Sequence, residues 1–197
     1  SCTAPTPFCG TNPTTTPKPL SLAPVAHTYA SLLEGFSRRE FPPVVVAAGA
    51  ETYFIDALCD RLEATALTEE EKSFNASILY GRDVSAADVV SEARRYPMMA
   101  DRVLVVVREA QNLRDFEALS AYFKNPNPST VLFLAFMGKT PDKRREGYKS
   151  LLANHHAYIE AVPLNEGQAK AWIRSESTRR VLKIEDTAIS LLYESVG

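Results

Sequence analysis

Three absences in this sequence exclude broad classes of protein: cysteine is scarce, neither sign of charge dominates, and no long apolar run occurs. The 197 residues hold three cysteines and carry a formal net charge of −2. This near neutrality argues against a protein that holds nucleic acid mainly through bulk electrostatics, although a local basic patch remains open. No apolar stretch approaches the roughly 18 to 20 residues that span a bilayer. We therefore expect a soluble protein without a membrane partner.

The few cysteines give little sign of a disulfide-stabilised secreted protein. Cys2 and Cys9 flank a Pro/Thr-rich stretch and could pair, but a single Cys-x6-Cys is a weak signal. Cys59 lies in a helical pattern, where we expect a buried small apolar residue. No signal-peptide pattern occurs and the sequence has no initiator Met. A cytoplasmic location is favoured over a secreted one.

The usual catalytic and metal-binding patterns are also missing. His155 and His156 are adjacent and have no Cys or His at ligand spacing nearby, which favours a capped or solvated surface pair over a metal site. No G-x-S-x-G occurs. The basic stretch at residues 139–149 mixes Lys and Arg with Asp and Glu, so a solvated helix face is favoured over a phosphate-binding patch. Trp172 is predicted to be a core residue. We predict no metal and no cofactor.

The apolar segments predict the strands of a parallel sheet. Residues 1–27 are dense in Pro and Thr, so we expect a disordered or extended leader there. Beyond it, strands are predicted at 43–49, 73–81, 102–109, 129–136 and 157–162. Continuously apolar strands that alternate with helices are typical of an α/β fold. We expect a parallel five-stranded sheet with helices on both faces.

Helical patterns lie between these strands and after the last one. They are predicted at 29–36, 51–67, 85–96, 114–125 and 142–154, with Ser85 as an N-cap and Asp88 at the third helical position. Two further helical patterns, without a strand between them, follow from residue 164. We therefore expect a domain over 28–163 and the start of a truncated helical domain over 164–197.

The end of the first strand invites a test for a phosphate-binding loop. That motif, G-x-x-x-x-G-K-[ST], needs a second glycine, a lysine and a hydroxyl at fixed spacing. Counted from Gly49, these positions hold Phe54, Ile55 and Asp56. Every position that would contact phosphate or Mg²⁺ is therefore replaced.

The third strand fails the corresponding test for a metal-binding acid. An ATPase strand of this kind usually ends in acidic residues that hold Mg²⁺. Here it ends in Arg108 and Glu109, which puts a cation where the metal-binding Asp would lie. We predict a degenerate nucleotide site that does not hydrolyse nucleotide.

Two adjacent methionines follow the helix before this strand. Pro97 disfavours helical backbone at Tyr96, so Met98 and Met99 are predicted to lie on a turn at one edge of the sheet. Flexible methionines can fill irregular core gaps. However, adjacent side chains seldom both point inward, so we expect at least one to face solvent or a partner. An apolar, adaptable pair on a turn is suited to docking into another protein's pocket.

The ordered series of segments resembles the delta subunits of the bacterial DNA polymerase III clamp loader. The likeness is carried by residues 29–58, 74–113, 122–136, 142–151 and 162–173, and the second of these ranges includes the stretch "RRYPMMADRVLVVVREAQNL". The likeness covers residues 28–197. "REAQNL" resembles an altered D-E-A-H-like strand end, and the Ser-Arg-Cys finger of related subunits is missing near "YKSL".

This resemblance implies an AAA+ fold without a working nucleotide site and a mechanical role in DNA replication. Delta subunits bind the ring-shaped sliding clamp, the beta subunit, and favour its opening for loading onto primed DNA. Sister clamp-loader subunits supply the ATP energy, DNA is reached through the assembled complex, and the chain is an accessory subunit of a DNA polymerase without catalysis of its own. The family's apolar clamp-binding pair, typically Leu-Phe, falls on Met98 and Met99. Tyr96, Asp101 and Arg102 are the neighbours expected to contribute.

Two alternatives remain at the level of sequence. One is an AAA+-like ATPase with an unconventional nucleotide site. The other is an ATPase-dead scaffold in which the methionine turn is only part of the core, so that polar substitution there would lower stability instead of partner affinity.

Overall fold

The computed structural model describes residues 27–142, 144–154 and 156–196. The predicted leader lies outside these ranges except for His27, as do Cys2, Cys9 and His155, so the predictions made for them cannot be compared with the structure.

Five parallel strands form one sheet in the spatial order β2-β3-β4-β1-β5. The strands are β1 (Val44–Gly49), β2 (Ala76–Tyr80), β3 (Val103–Arg108), β4 (Thr130–Met137) and β5 (Ala157–Ala161). The three central strands are apolar on both faces and buried almost throughout, because helices cover the sheet on each side. The predicted α/β fold class is confirmed.

Eight α-helices accompany the sheet in the described residues. They are α1 (Tyr29–Ser37), α2 (Thr52–Ala66), α3 (Glu69–Asn75), α4 (Ala86–Ala93), α5 (Ser120–Lys124), α6 (Glu146–Ala153), α7 (Glu166–Arg179) and α8 (Asp186–Val196). Short 3-10 helices occupy Ala110–Asn112 and Phe116–Leu119. One core packs α1 and α2 against the sheet, and a second core packs α4, α5 and α6 against the opposite face.

The helix predicted from residue 142 begins only at Glu146, and three further boundaries differ from the predictions by more than one residue. Residues 73–75 belong to α3 and not to a strand, because a capping box between Thr68 and Glu71 starts a helix there. The single helix predicted at 114–125 is a 3-10 turn followed by α5, and it begins only after Asp115, whose φ of 55° is left-handed.

The third difference is that α4 ends at Ala93, earlier than predicted. A helix continued to Pro97 would bring the proline ring against the carbonyl of Ala93, four residues before it. That carbonyl instead accepts a hydrogen bond from Thr130 Oγ1 at 2.9 Å.

Single-residue predictions have mixed outcomes. Cys59 is buried, as predicted. The prediction of a surface histidine is wrong for His156, which is buried with its Nε2 2.7 Å from the carbonyl oxygen of Phe123. Trp172 is half-buried and not a core residue. Of the helices in the described ranges, none has the length and apolar character needed to cross a membrane.

Candidate functional site

The methionine pair lies on the turn that joins α4 to β3, at the end of the sheet where β2 and β3 begin. The side chain of Met98 is 55% exposed and that of Met99 is fully exposed. Tyr96 and Asp101 on the same turn are exposed as well. Both methionines therefore face outward, and neither fills the core.

The backbone of the turn is held by Asn75, the last residue of α3, whose side chain is buried. Its Oδ1 accepts the Met98 N–H at 2.6 Å, and its Nδ2 donates to the Met98 carbonyl oxygen at 2.9 Å. The same Nδ2 also donates to the carbonyl oxygen of Glu71 at 3.0 Å. A single buried amide thus fixes both polar groups of the Met98 backbone and leaves its side chain at the surface.

Met99 has a left-handed backbone, with φ of 55°. For a residue with a Cβ atom this conformation costs roughly 1 to 2 kcal/mol, so it persists only where neighbouring contacts impose it. The hydrogen bonds between Asn75 and Met98 supply such contacts one residue earlier. The strained residue is the one whose side chain projects furthest into solvent.

A second set of hydrogen bonds joins the start of the turn to α3 and α4. Arg95 Nη1 donates to Glu92 at 2.7 Å, and Arg95 Nη2 donates to the carbonyl oxygen of Phe74 at 3.1 Å. Glu92 also accepts a hydrogen bond from the Ser77 hydroxyl at 2.8 Å. These hydrogen bonds, first that from Arg95 and then that from Ser77, lower the pKa of Glu92. The carboxylate is therefore ionised at neutral pH and keeps Arg95 in place.

Arg102 is less exposed than the other four predicted site residues. Its guanidinium lies 4.6 Å from the centre of the Phe41 ring, in the segment before β1. The Arg102 side chain is half-buried, and its Nε is buried without a hydrogen-bond partner. Of the five predicted site residues, Tyr96, Met98, Met99 and Asp101 are exposed together on one turn, whereas Arg102 packs inward.

The opposite end of the sheet holds the residues of the predicted degenerate nucleotide site, and there β1 lies close against β5. Gly49 pairs with Ala161 of β5, and a Cβ atom on Gly49 would collide with the Ala161 carbonyl. Two residues separate Gly49 from α2, and the second, Glu51, donates its N–H to Ala161 O at 3.2 Å. The glycine is therefore explained by the close approach of β5.

The residues that stand at the phosphate-loop positions all belong to α2. Ile55 is buried in the core. Phe54 packs in an aromatic cluster, with ring centroids 4.9 Å from Tyr29 and 5.9 Å from Trp172 of α7. Phe54, at the position of the second phosphate-loop glycine, thus joins α2 to α1 and α7.

Arg108 fills the position expected for a metal-binding acid. Its guanidinium lies among three carboxylates of α2, at 3.3 Å from Glu63, 3.6 Å from Asp56 and 3.8 Å from Asp60. Glu109 has a left-handed φ of 53° and accepts a hydrogen bond from Asn112. Within the ranges that the structure describes, no group of three or more acidic, His or Cys residues is placed to hold a metal ion.

The two sites lie at opposite ends of β3. The methionine turn precedes Val103, and Arg108 is the last residue of the strand. Five steps of about 3.3 Å separate the first and last residues of this strand by about 17 Å. Side chains of the methionine turn therefore cannot contact Arg108 at the other end of the strand directly.

Two residues of the turn's surroundings were missed at the level of sequence, Asn75 and Phe74. Both lie at the end of α3, in residues 73–75, for which the sequence predicts a strand. The Thr68-x-x-Glu71 capping box was the signal that could have predicted this helix. Nothing local in the sequence indicates that Asn75 bonds a residue 23 positions later.

Comparisons with known proteins place the chain in a family. A protein-family model described as "DNA polymerase III, delta subunit" matches residues 46–162, more than half of the chain. DNA polymerase III subunit delta of Bacillus subtilis (strain 168) is 28% identical over 142 residues, which are 67% of this chain and 41% of that relative. The solved structure of the Bacillus subtilis DNA clamp loader delta protein has the same fold, with a TM-score of 0.72 at 24% identity over 83% of this chain and 51% of that one. The chain thus spans about half the length of these proteins, or less.

Proposed function

Because the chain belongs to the family of DNA polymerase III delta subunits, we propose that it binds a sliding clamp through the Met98–Met99 turn and promotes opening of the ring for loading onto primed DNA. It acts without catalysis of its own, in the bacterial cytoplasm, with sister clamp-loader subunits that supply ATP energy and with DNA bound by the assembled complex. The observation that carries the proposal is the exposed apolar pair on a backbone held by Asn75.

The geometry of the turn suits an anchor for a hydrophobic pocket. Part of the free energy of any association is lost in ordering the groups that bind. Here Asn75 already fixes the Met98 backbone, so mainly side-chain freedom remains to be lost. Methionine is unbranched and polarisable, so the pair can adapt to a pocket without a fixed ring shape.

The exposed fractions set the size of the contact. Complete burial of one such side chain stabilises by about 1.5 to 3 kcal/mol. Met99 can contribute this in full, because its side chain is fully exposed. Met98 can contribute about half, because only 55% of its surface is exposed before binding. The pair therefore yields about 2.3 to 4.7 kcal/mol, against association costs of at least about 4 kcal/mol. Further contacts must accompany it.

Clamp opening follows from differential binding. A protein shifts a ring between closed and open states only by the difference between its affinities for the two. We propose that the turn binds more tightly to the clamp surface as it is arranged in the open ring. No nucleotide is needed for this step.

The test is clamp binding by surface plasmon resonance, comparing the unsubstituted chain with Met98→Ser/Met99→Ser. We expect binding to weaken about 100-fold or more, with coincident circular dichroism melts. The matched control is Val181→Ser/Leu182→Ser, an exposed adjacent apolar pair after α7 whose first residue also has a left-handed φ, of 59°. It should leave binding unchanged. A double serine variant that binds normally, or an unsubstituted chain that does not bind, would refute the proposal.

The competing ATPase function is tested separately. A ligand that binds the folded state raises its stability by RT ln(1 + [L]/Kd). The paired Gly49 backbone and the Arg108 carboxylate cluster support the absence of a nucleotide site. We expect no thermal shift with millimolar Mg-ATP, and a clear rise in the melting temperature would support the ATPase function instead.

A further inference from the structure

We propose that Phe74 is a third apolar anchor of the clamp contact, acting together with Met98 and Met99. This inference rests on the proposed function and extends its binding surface from the turn to the end of α3. The Phe74 side chain is 60% exposed, although the residue that follows it, Asn75, is buried. A large exposed ring beside other exposed apolar side chains marks an interaction surface more strongly than a single one does.

Two contacts fix Phe74 relative to the methionine pair. The carbonyl oxygen of Phe74 accepts a hydrogen bond from Arg95 Nη2 at 3.1 Å. The next residue, Asn75, bonds both the N–H and the carbonyl of Met98. One contact lies before the exposed Tyr96 and the other after it, so the end of α3 is joined to the turn on both sides of Tyr96.

The backbone around Phe74 is already ordered on both sides. The helix α3 starts at the Thr68 capping box and ends at Asn75, and β2 begins at Ala76 without an intervening loop. Ala76 is in turn paired with Leu104 of β3. Binding therefore requires little further ordering of the backbone that carries the ring, which favours affinity.

Two cations near this surface are each paired with a carboxylate. Lys72 Nζ lies 2.6 Å from Glu69 on α3, and Arg95 Nη1 lies 2.7 Å from Glu92. A partner that covers Phe74 does not have to neutralise either cation, since each keeps its carboxylate. The arrangement is an apolar centre with a polar rim, as in protein–protein interfaces.

The experiment compares Phe74→Ser with the unsubstituted 197-residue chain on an immobilised sliding clamp. We expect roughly tenfold weaker binding, mainly through faster dissociation, with an unchanged melting temperature. Phe74→Leu should retain most of the affinity, because it keeps an apolar side chain. The matched control is Leu191→Ser on α8, where a large apolar side chain is 63% exposed; it should bind like the unsubstituted chain.

The outcomes separate this inference from the proposed function. If Phe74→Ser binds normally while Met98→Ser/Met99→Ser does not, the third anchor is refuted and the proposed function stands. If neither the unsubstituted chain nor any variant binds, both fail. Should Phe74→Ser melt lower, Phe74→Gln replaces it, since glutamine is a good helix former; normal binding by that variant at an unchanged melting temperature also refutes the anchor.

Discussion

The amide of Asn75 is the contact whose removal tests the architecture of the methionine turn most directly. Its side chain makes three hydrogen bonds, two to the Met98 backbone and one to the Glu71 carbonyl. At a net contribution of about 1 kcal/mol each, Asn75→Ala should lower the free energy of unfolding by about 3 kcal/mol. For a chain of this size that corresponds to a fall in melting temperature of about 6 to 12 °C.

A second readout locates the effect in the turn. In the unsubstituted chain the Met98 amide donates to a buried acceptor, the Asn75 Oδ1, so its hydrogen exchange should be slow. In Asn75→Ala the Met98 amide should lose this protection, and clamp binding should weaken even though residue 75 has almost no exposed surface. The assays are denaturant unfolding, hydrogen exchange with mass spectrometry, and clamp binding.

Asn75→Asp is the matched control for this prediction. It keeps an oxygen that accepts the Met98 N–H, but it places a carboxylate against the carbonyl oxygens of Met98 and Glu71 in place of a donor. Its deficit relative to the unsubstituted chain should shrink as the pH falls and the acid gains a proton that it can donate. If Asn75→Ala unfolds with unchanged free energy and the Met98 amide stays protected, our account of the turn is refuted.

Two further predictions concern other parts of the fold. Gly49→Ala should lower the free energy of unfolding by about 2 to 4 kcal/mol, because its Cβ would collide with the Ala161 carbonyl and force β1 and β5 apart; an unchanged urea midpoint would contradict this. Hydrogen bonds from Arg95 and Ser77 lower the pKa of Glu92. The stability that these bonds provide is therefore fully present above the usual carboxyl pKa of about 4.3, and it is lost as the pH falls through the lowered pKa of Glu92. The difference in unfolding free energy between the unsubstituted chain and Glu92→Gln should be constant above about pH 5 and shrink below about pH 4. A difference that does not change with pH would show that these hydrogen bonds are not retained in solution.

The sheet could be predicted because the information is local. The apolar runs that became β1, β3 and β4 are continuous and lie between turn residues, which identifies buried parallel strands. The start of α4 could also be predicted from the sequence, since Ser85 and Asp88 form the expected N-terminal cap. The replacement of the phosphate-loop residues could also be recognised from the sequence, because the motif has a fixed spacing.

The positioning of the candidate site was not predictable in the same way. The clamp-binding role of Met98 came from a family resemblance, and it stays a prediction until binding is measured. The bonds from Asn75 to Met98 and the contact of Arg102 with Phe41 join residues 23 and 61 positions apart. Such contacts depend on how elements pack and leave no periodic pattern in the chain, which is why Arg102 was expected at the surface and is packed inward.

The open position of Met99 also makes the proposed contact sensitive to oxidation. Its thioether is unshielded, so hydrogen peroxide can transfer one oxygen atom to the sulfur and leave as water, which converts an apolar side chain to a polar sulfoxide. A Leu-Phe pair at the same place would be inert to this chemistry. Of the three methionines in the sequence, two lie on this turn and the third, Met137, is half-buried, so oxidative damage to a stored sample would fall first on the surface that we propose binds the clamp.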